Sequence, residues 1–200
     1  VQPLRMSTAA AHEPTGLAHA YLLDGRGGGT HLDWNGVGRW TPSDGTLWLN
    51  LDYSAPDVER WLGHHSQISP LIRDALLDDD PRPRAMAHGD ALLLIVRGIN
   101  VNEGAAPEDM LSIRAWIEPR RVVTLRRRKS RSLKAIAADL DRGAGPTSVG
   151  ELTALLVERI LEHVATRVDT LGDDIAACED QVLVETRGEL RAQLADQRRR

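Results

Sequence analysis

The sequence has 200 residues, of which 42% are hydrophobic, and this is enough for one compact domain with an extension. The formal net charge of −4 argues against a dedicated nucleic-acid-binding protein, and the single cysteine excludes a disulfide framework within the chain. The longest fully apolar run, at residues 91–96, is far shorter than the roughly 18 residues that a membrane helix needs. These residues taken alone are therefore expected to be soluble and, by default, cytoplasmic.

Two short strands are predicted near the N-terminal end, at residues 17–23 and 46–52, because both segments are apolar and of strand length. The glycine-rich segment between them, at 25–29, partly matches the fingerprint of dinucleotide-binding folds. The third glycine position of that fingerprint is occupied by Thr30, and the following residues have strand character rather than helix character. A flexible turn is the favoured interpretation.

Two helices are predicted next. Ser54 precedes Asp57 by three residues, which is a spacing typical of a capping box, so a helix is expected to begin there. Ser69 followed by Pro70 predicts the start of another helix, because proline is favoured at the first helical position.

The central part of the chain has the pattern of a sheet. A hairpin is predicted to turn at residues 88–90, and alternating apolar residues at 111–117 predict a strand with one buried face. Residues 121–128 follow a short turn and predict a third adjacent strand. A helix is predicted at 133–140 with its end at Gly143. Because helices and strands alternate along the chain, we expect a layered α/β domain.

The longest helical pattern covers residues 149–184, after a boundary rich in Gly, Pro and Ser. Ser148 and Glu151 have the spacing of a capping box. A helix of this length would extend about 54 Å at 1.5 Å per residue, so it needs packing partners along its length. Its apolar stripe consists of Leu152, Leu156, Ile160, Val164, Val168, Leu171, Ile175, Cys178 and Val182.

A second capping-box spacing, between Thr186 and Glu189, predicts that the chain reverses into another helix. We therefore divide the chain into an α/β domain at 1–146 and a helical region at 147–200. The helical region would contain the long helix and the beginning of a second, antiparallel helix.

Charged residues are distributed unevenly along the chain. Residues 112–134 contain nine Arg or Lys and one acid, whereas residues 151–184 contain eight Asp or Glu and two Arg. An acidic helix produces a negative potential that raises the local concentration of cations. The cation-attracting acids of this helix are predicted to be Glu158, Glu162, Asp169, Asp173, Asp174, Glu179 and Asp180.

No nucleophile elbow, Walker loop or His-Glu-x-x-His motif occurs in the sequence, so we expect neither an enzyme nor a bound cofactor. Asp174 and Cys178 are spaced by one helical turn and His163 lies about four turns away, and these three residues are weak candidates for metal ligands. A packed core thiol is the competing interpretation of Cys178. The acidic run 78–80 is interpreted as a solvated helix end, and the basic run 126–131 as a strand end that repels edge pairing or attracts anions.

Residues 76–135 resemble the cytoplasmic part of CorA-type metal-ion transporters, specifically the ZntB zinc-transporter branch. The most distinctive segment is RGINVNEGAAPEDMLSIRAWI at 97–117, and the resemblance extends over most of 46–200. It implies an α/β/α sandwich with a mixed parallel and antiparallel sheet, followed by long helices. It also implies a homopentameric funnel on the cytoplasmic side of the bacterial inner membrane, with the stalk and membrane helices beyond Arg200.

We therefore expect a domain that supports or regulates the pore of a divalent-cation transporter. Zn²⁺ is the expected transported or regulatory ion, with Mg²⁺ or other divalent cations as alternatives. Expected partners are further copies of the chain, divalent cations and the membrane through C-terminal helices, but not nucleic acid, and the isolated fragment can be a monomer. The alternative interpretation is a soluble helical module for protein–protein interaction without a transport role.

Overall fold

The computed structural model describes residues 16–106, 109–184, 195, 196 and 198. Its strands are β1 (Leu17–Leu23), β2 (Gly29–His31), β3 (Thr46–Asp52), β4 (Arg84–His88), β5 (Ala91–Ile99), β6 (Met110–Ile117) and β7 (Arg121–Arg126). Its helices are α1 (Trp34–Arg39), α2 (Pro56–His64), α3 (Pro70–Leu77), α4 (Arg131–Asp141) and α5 (Val149–Val184), and a short 3₁₀ helix covers Pro42–Asp44. The second predicted capping box, at 186–189, lies outside the described residues.

The strands form one sheet in the order β2-β1-β3-β7-β6-β5-β4. β3 and β7 are parallel, and all other neighbouring pairs are antiparallel. The parallel pair is possible because the long connection between β3 and β7 includes two helices and three strands. The predicted hairpin is confirmed as β4 and β5, with Gly89 at a φ of 59° in the turn between them.

Helices cover both faces of the sheet, and a separate hydrophobic core lies on each side. On β3, Leu47, Leu49 and Leu51 contribute to the core shared with α1, α2 and α3. Trp48, on the opposite face of the same strand, contributes to the core shared with α4 and α5. Since alternate side chains of a strand point to opposite faces, a central strand supplies both cores. The predicted α/β/α sandwich with a mixed sheet is confirmed.

Two predictions about the strands are wrong. β6 is buried on both faces, since Arg114 and Trp116, on the face expected to be solvated, are only 1% and 5% exposed. The reason is that β6 lies between β5 and β7 under helices on both sides. The basic run 126–131 does not protect a sheet edge, because β7 is the middle strand of the seven.

The two predicted helix starts have different outcomes. The Ser69 side chain accepts a hydrogen bond from a backbone N–H of α3, as the sequence predicts. α2 instead begins at Pro56 without a side-chain cap, so the capping box expected at Ser54 does not form. The carboxylate of Asp57 accepts a hydrogen bond from the backbone N–H of Gly16, at 3.0 and 3.1 Å from its two oxygens.

The first three turns of α5 pack on the sheet. Leu152, Leu156 and Ile160 are at most 5% exposed and belong to the core that α4 also covers. Arg159 adds an ion pair with Asp139 of α4 at 3.1 Å. The helical region proposed to begin at 147 therefore shares its first turns with the core of the α/β domain.

Candidate functional site

The N-terminal end of α5 is held by side chains that precede it. Ser148 Oγ accepts a hydrogen bond from the Glu151 N–H at 3.2 Å, as in a capping box. The Glu151 carboxylate, however, accepts from the backbone N–H of Thr147 at 2.8 Å and from its hydroxyl at 2.7 Å. These bonds lower the pKa of Glu151, the backbone bond contributing most, and they stabilise the ionised form at the helix start.

α5 is a single helix of 36 residues, which corresponds to a length of about 54 Å. Its apolar stripe is buried only in the first turns. Val164, Leu171 and Ile175 are half-buried, and Val168 is 61% exposed. The side chain of Val182 lies outside the described part. The second half of α5 therefore presents apolar surface that the described residues leave uncovered.

All seven predicted cation-attracting acids of α5 are solvent-exposed. None of them forms an ion pair with another residue that the structure describes. Four are spaced by four, seven and four residues, which places them within about 60° of one another around the helix axis. We call this set the acidic face; it lies opposite the apolar stripe and consists of Glu158, Glu162, Asp169 and Asp173.

The other three acids of the same helix differ from one another in orientation. At 100° per residue, Asp180 falls in the same direction as the acidic face, seven residues beyond Asp173. Asp174 falls on the side of the apolar stripe, and Glu179 falls between the stripe and the acidic face. The sequence therefore predicted the seven carboxylates as one group, but the helix geometry places only five of them, the acidic face and Asp180, on one side of the helix.

The three candidate metal ligands are not brought together within one chain. Asp174 and Cys178 are one turn apart, but His163 precedes Asp174 by eleven residues of continuous helix, or about 16 Å. His163 Nδ1 lies 2.7 Å from the carbonyl oxygen of Arg159 and 3.4 Å from the hydroxyl of Ser132. Cys178 is half-buried rather than enclosed in a core of described residues. No group of three or more His, Cys, Asp or Glu within the described residues could hold a metal ion.

Polar residues of the distinctive segment 97–117 make internal contacts. Asn102 Nδ2 donates to Asn100 Oδ1 at 2.7 Å and to the carbonyl oxygen of Lys129 at 2.8 Å. Arg97 pairs with Asp80 at 2.6 Å. These side chains hold the β5–β6 connection against neighbouring segments, so their role in the described structure is to stabilise the fold.

A concave site that the sequence did not indicate lies on the sheet face opposite α5. It is a cavity of about 890 Å³ between α1, α2 and the β6–β7 turn. Three of the five tryptophans in the chain line it: Trp34, Trp40 and Trp61. No short motif contains all three, so the signal was the number of tryptophans rather than their spacing.

Within the described ranges, none of the helices combines the length and the hydrophobicity that crossing a membrane requires.

Comparison with protein families gives a match over residues 43–200 to the family described as CorA-like Mg²⁺ transporter protein. Among curated proteins, the divalent cation transporter CmaX of Pseudomonas aeruginosa is 33% identical over 185 residues, which are 91% of this chain and 55% of that protein. The zinc transport protein ZntB of Pectobacterium carotovorum is 35% identical over 179 residues, covering 88% of this chain and 54% of that protein. The chain thus spans about half the length of these relatives.

Solved structures agree with the sequence comparisons. The structure of full-length CmaX superposes with a TM-score of 0.81 at 31% identity, covering 95% of this chain and 61% of that chain. The ZntB cytoplasmic domain of Vibrio parahaemolyticus superposes with a TM-score of 0.73 at 26% identity, covering 82% of this chain and 66% of that chain. The predicted resemblance is confirmed. These relatives are named as transporters and not as enzymes, which confirms the prediction of a non-enzymatic protein and does not favour the interaction module.

Proposed function

Because the chain belongs to the CorA-like Mg²⁺ transporter family, we propose that it is the cytoplasmic domain of a divalent-cation transporter in the bacterial inner membrane. Zn²⁺ is the proposed ion, since ZntB relatives are named for zinc transport, and Mg²⁺ is the alternative from the family description. In this proposal, residues 1–146 form the body, and residues 147–200 lead toward a stalk and membrane helices.

The observation that carries the proposal is the acidic face of α5. Its four carboxylates are exposed and have no cationic partner among the described residues. Unpaired carboxylates on one side of a long helix create a continuous negative potential that attracts divalent cations. The attraction is weak because the charges are hydrated and screened over about 10 Å at 0.1 M salt. Weak attraction is suited to conduction, because an ion that is held tightly does not leave.

A ring of copies would bring several acidic faces around a common path. The proposed assembly is a homopentamer, and the uncovered apolar surface of α5 supports a packing partner there. Leu161 is 57% exposed and Val168 is 61% exposed, which is unusual for large apolar side chains on a helix that stands alone. The partner is proposed to be the returning helix of the same chain or α5 of a neighbouring copy.

Only two of the three proposed metal ligands, Asp174 and Cys178, can belong to one metal site. Asp174 and Cys178 can supply one carboxylate and one thiolate from adjacent turns, and a closed zinc site needs four ligands. We propose that any tight Zn²⁺ site at this position is completed by a second helix, and that His163 is not part of it.

The experiment that tests the proposal is divalent-cation flux through the whole transporter, reconstituted in liposomes. One variant removes the four charges of the acidic face with Glu158→Gln, Glu162→Gln, Asp169→Asn and Asp173→Asn. The control variant removes four exposed carboxylates elsewhere on the body with Glu59→Gln, Asp79→Asn, Asp90→Asn and Glu103→Gln. Both variants change the net charge equally, so only the position of the charges differs.

We expect Zn²⁺ flux at low ionic strength to fall by about tenfold in the acidic-face variant, because the local concentration of cations falls. The control variant should retain its flux. High salt should reduce the difference, since it screens exposed charges. Equal flux in the two variants would contradict the role of the acidic face, and a protein that conducts no divalent cation would end the proposal.

A further inference from the structure

The cavity between α1, α2 and the β6–β7 turn has the properties of a small-molecule site. Its volume of about 890 Å³ lies in the range of roughly 300–1,000 Å³ that is usual for ligand pockets. It opens on the sheet face opposite α5, so it shares no residue with the acidic face. The proposed transport role therefore does not explain this cavity.

The cavity offers aromatic surface. Trp61 is buried beneath it and packs against Trp34 with their ring centroids 5.8 Å apart. Trp34 and Trp40 are half-buried, so part of each indole is open to a ligand. Their N–H groups already donate, to Asp57 at 3.0 Å and to the carbonyl oxygen of Gly45 at 3.3 Å. What the two indoles offer is therefore ring surface, which suits a planar molecule.

The available charge in the cavity is positive. Arg60 and Arg120 line it, are exposed, and form no ion pair with any residue in the described part of the chain. The two acids in the lining, Glu118 and Asp57, already have partners within the protein. Glu118 pairs with Arg121, and Asp57 accepts hydrogen bonds from Trp34 and from a backbone N–H. Two free guanidinium groups match a carboxylate or a phosphate, which they can bind through paired N–H donors.

One backbone feature also lies at this cavity. Gln67, which contributes to the lining, has a φ of 59°, and no other non-glycine residue in the described part has a positive φ. A long side chain in this conformation carries a cost of about 1 kcal/mol or more, and such residues are concentrated at binding sites.

We propose that this cavity binds a small planar molecule that carries one carboxylate or phosphate group. The ring lies against Trp34 and Trp40, and the anionic group pairs with Arg60 and Arg120. This site is independent of the proposed transport role, and its failure would leave that role unchanged.

Titration of tryptophan fluorescence in the 200-residue chain tests this proposal. The probes are adenosine monophosphate and benzoate, which combine a ring with a phosphate or a carboxylate, and adenosine and inorganic phosphate, which each lack one of the two parts. The site variant is Arg60→Gln with Arg120→Gln. The control is Arg82→Gln with Arg84→Gln, which removes two exposed arginines that do not line the cavity.

We expect saturable quenching by at least one of the two ring-bearing anions, with a dissociation constant below about 1 mM. The probe that binds identifies the anionic group as phosphate or carboxylate. Adenosine and inorganic phosphate should bind at least about tenfold more weakly, and the site variant should lose at least about tenfold in affinity, while the control should not change. Absence of quenching by both anions, equal binding of adenosine, or an equal loss in the control would overturn the proposal. Circular dichroism of both variants verifies that they fold.

Discussion

Arg114 is a charged residue in the middle of the sandwich. It is 1% exposed, and its Nη1 donates to the carbonyl oxygen of Leu76 at the end of α3, at 2.5 Å. Its guanidinium lies 4.6 Å from the centre of the Tyr53 ring. Burial lowers the pKa of Arg114, and nearby acids oppose this shift. The residue thus joins β6 to α3 through one hydrogen bond, and to Tyr53 after β3 through one cation–π contact.

Two replacements of Arg114 separate the contribution of its packing from the contributions of its charge and hydrogen bond. Arg114→Ala should destabilise the protein by about 3 kcal/mol, because it leaves a cavity and an unpaired carbonyl group. Arg114→Met should cost less, about 1–2 kcal/mol, because methionine fills most of the volume and removes the desolvation cost of the charge. Urea denaturation measures both. Equal losses for the two variants would show that packing contributes little at this position.

Local helix signals are predictable where only nearby groups compete. Ser69 caps α3 as its sequence indicates, since the hydrogen bond joins residues three apart. Ser54 does not cap α2, because its own N–H and hydroxyl donate to Asp52 and because the Asp57 carboxylate is bound to Gly16, 41 residues away in the chain. A contact at that separation carries no signal in a short sequence pattern. The same limit applies to Arg114, whose burial depends on α3.

The close approach of α5 to β5 fixes how the long helix leaves the α/β domain. A β-carbon added at Gly98 would lie 2.9 Å from Cγ2 of Ile160. Ile160 is 5% exposed and belongs to the core beneath α4 and α5. The glycine therefore permits a contact distance that a larger residue would prevent.

Gly98→Ala should destabilise the protein by about 1–3 kcal/mol, because the extra methyl group overpacks the contact with Ile160. Gly63→Ala is the matched control, since Gly63 lies in α2 and its added methyl group would contact nothing within 4 Å. That change should stabilise α2 by up to about 1 kcal/mol, because alanine is the better helix former. Urea denaturation should therefore show a loss of stability for Gly98→Ala and a gain of stability for Gly63→Ala. A neutral Gly98→Ala would show that α5 can shift without cost.

Long elements were predictable from periodicity, and short ones were not. The bounds of α5 agree with the predicted 149–184 because apolar residues recur every three or four positions over ten turns. α1 was missed because two of its six residues are glycine, which lowers helix propensity. Its start is instead set by Asp33, whose side chain accepts from the Gly36 N–H at 2.7 Å.

Acidic and basic residues that are separated along the sequence are also separated in the fold. The acidic residues of α5 lie on one long helix, whereas the basic segment 112–134 runs from β6 through the central strand β7 into the start of α4. The sequence predicted this segregation, but not which acids would remain unpaired. Arg159 of α5 binds Asp139 of α4 rather than a carboxylate of its own helix, and only the packing of the two helices determines that choice.

Cation accumulation along α5 is tested most simply by Mn²⁺ broadening of amide NMR signals in the 200-residue chain. Mn²⁺ is a divalent ion that prefers oxygen ligands, and it broadens signals of nearby residues. We predict that broadening is strongest along 158–173 of α5 and decreases at high salt, as expected for screened, exposed charges. Equal broadening at the exposed acids Glu59 and Asp90, or broadening that high salt does not reduce, would contradict the account.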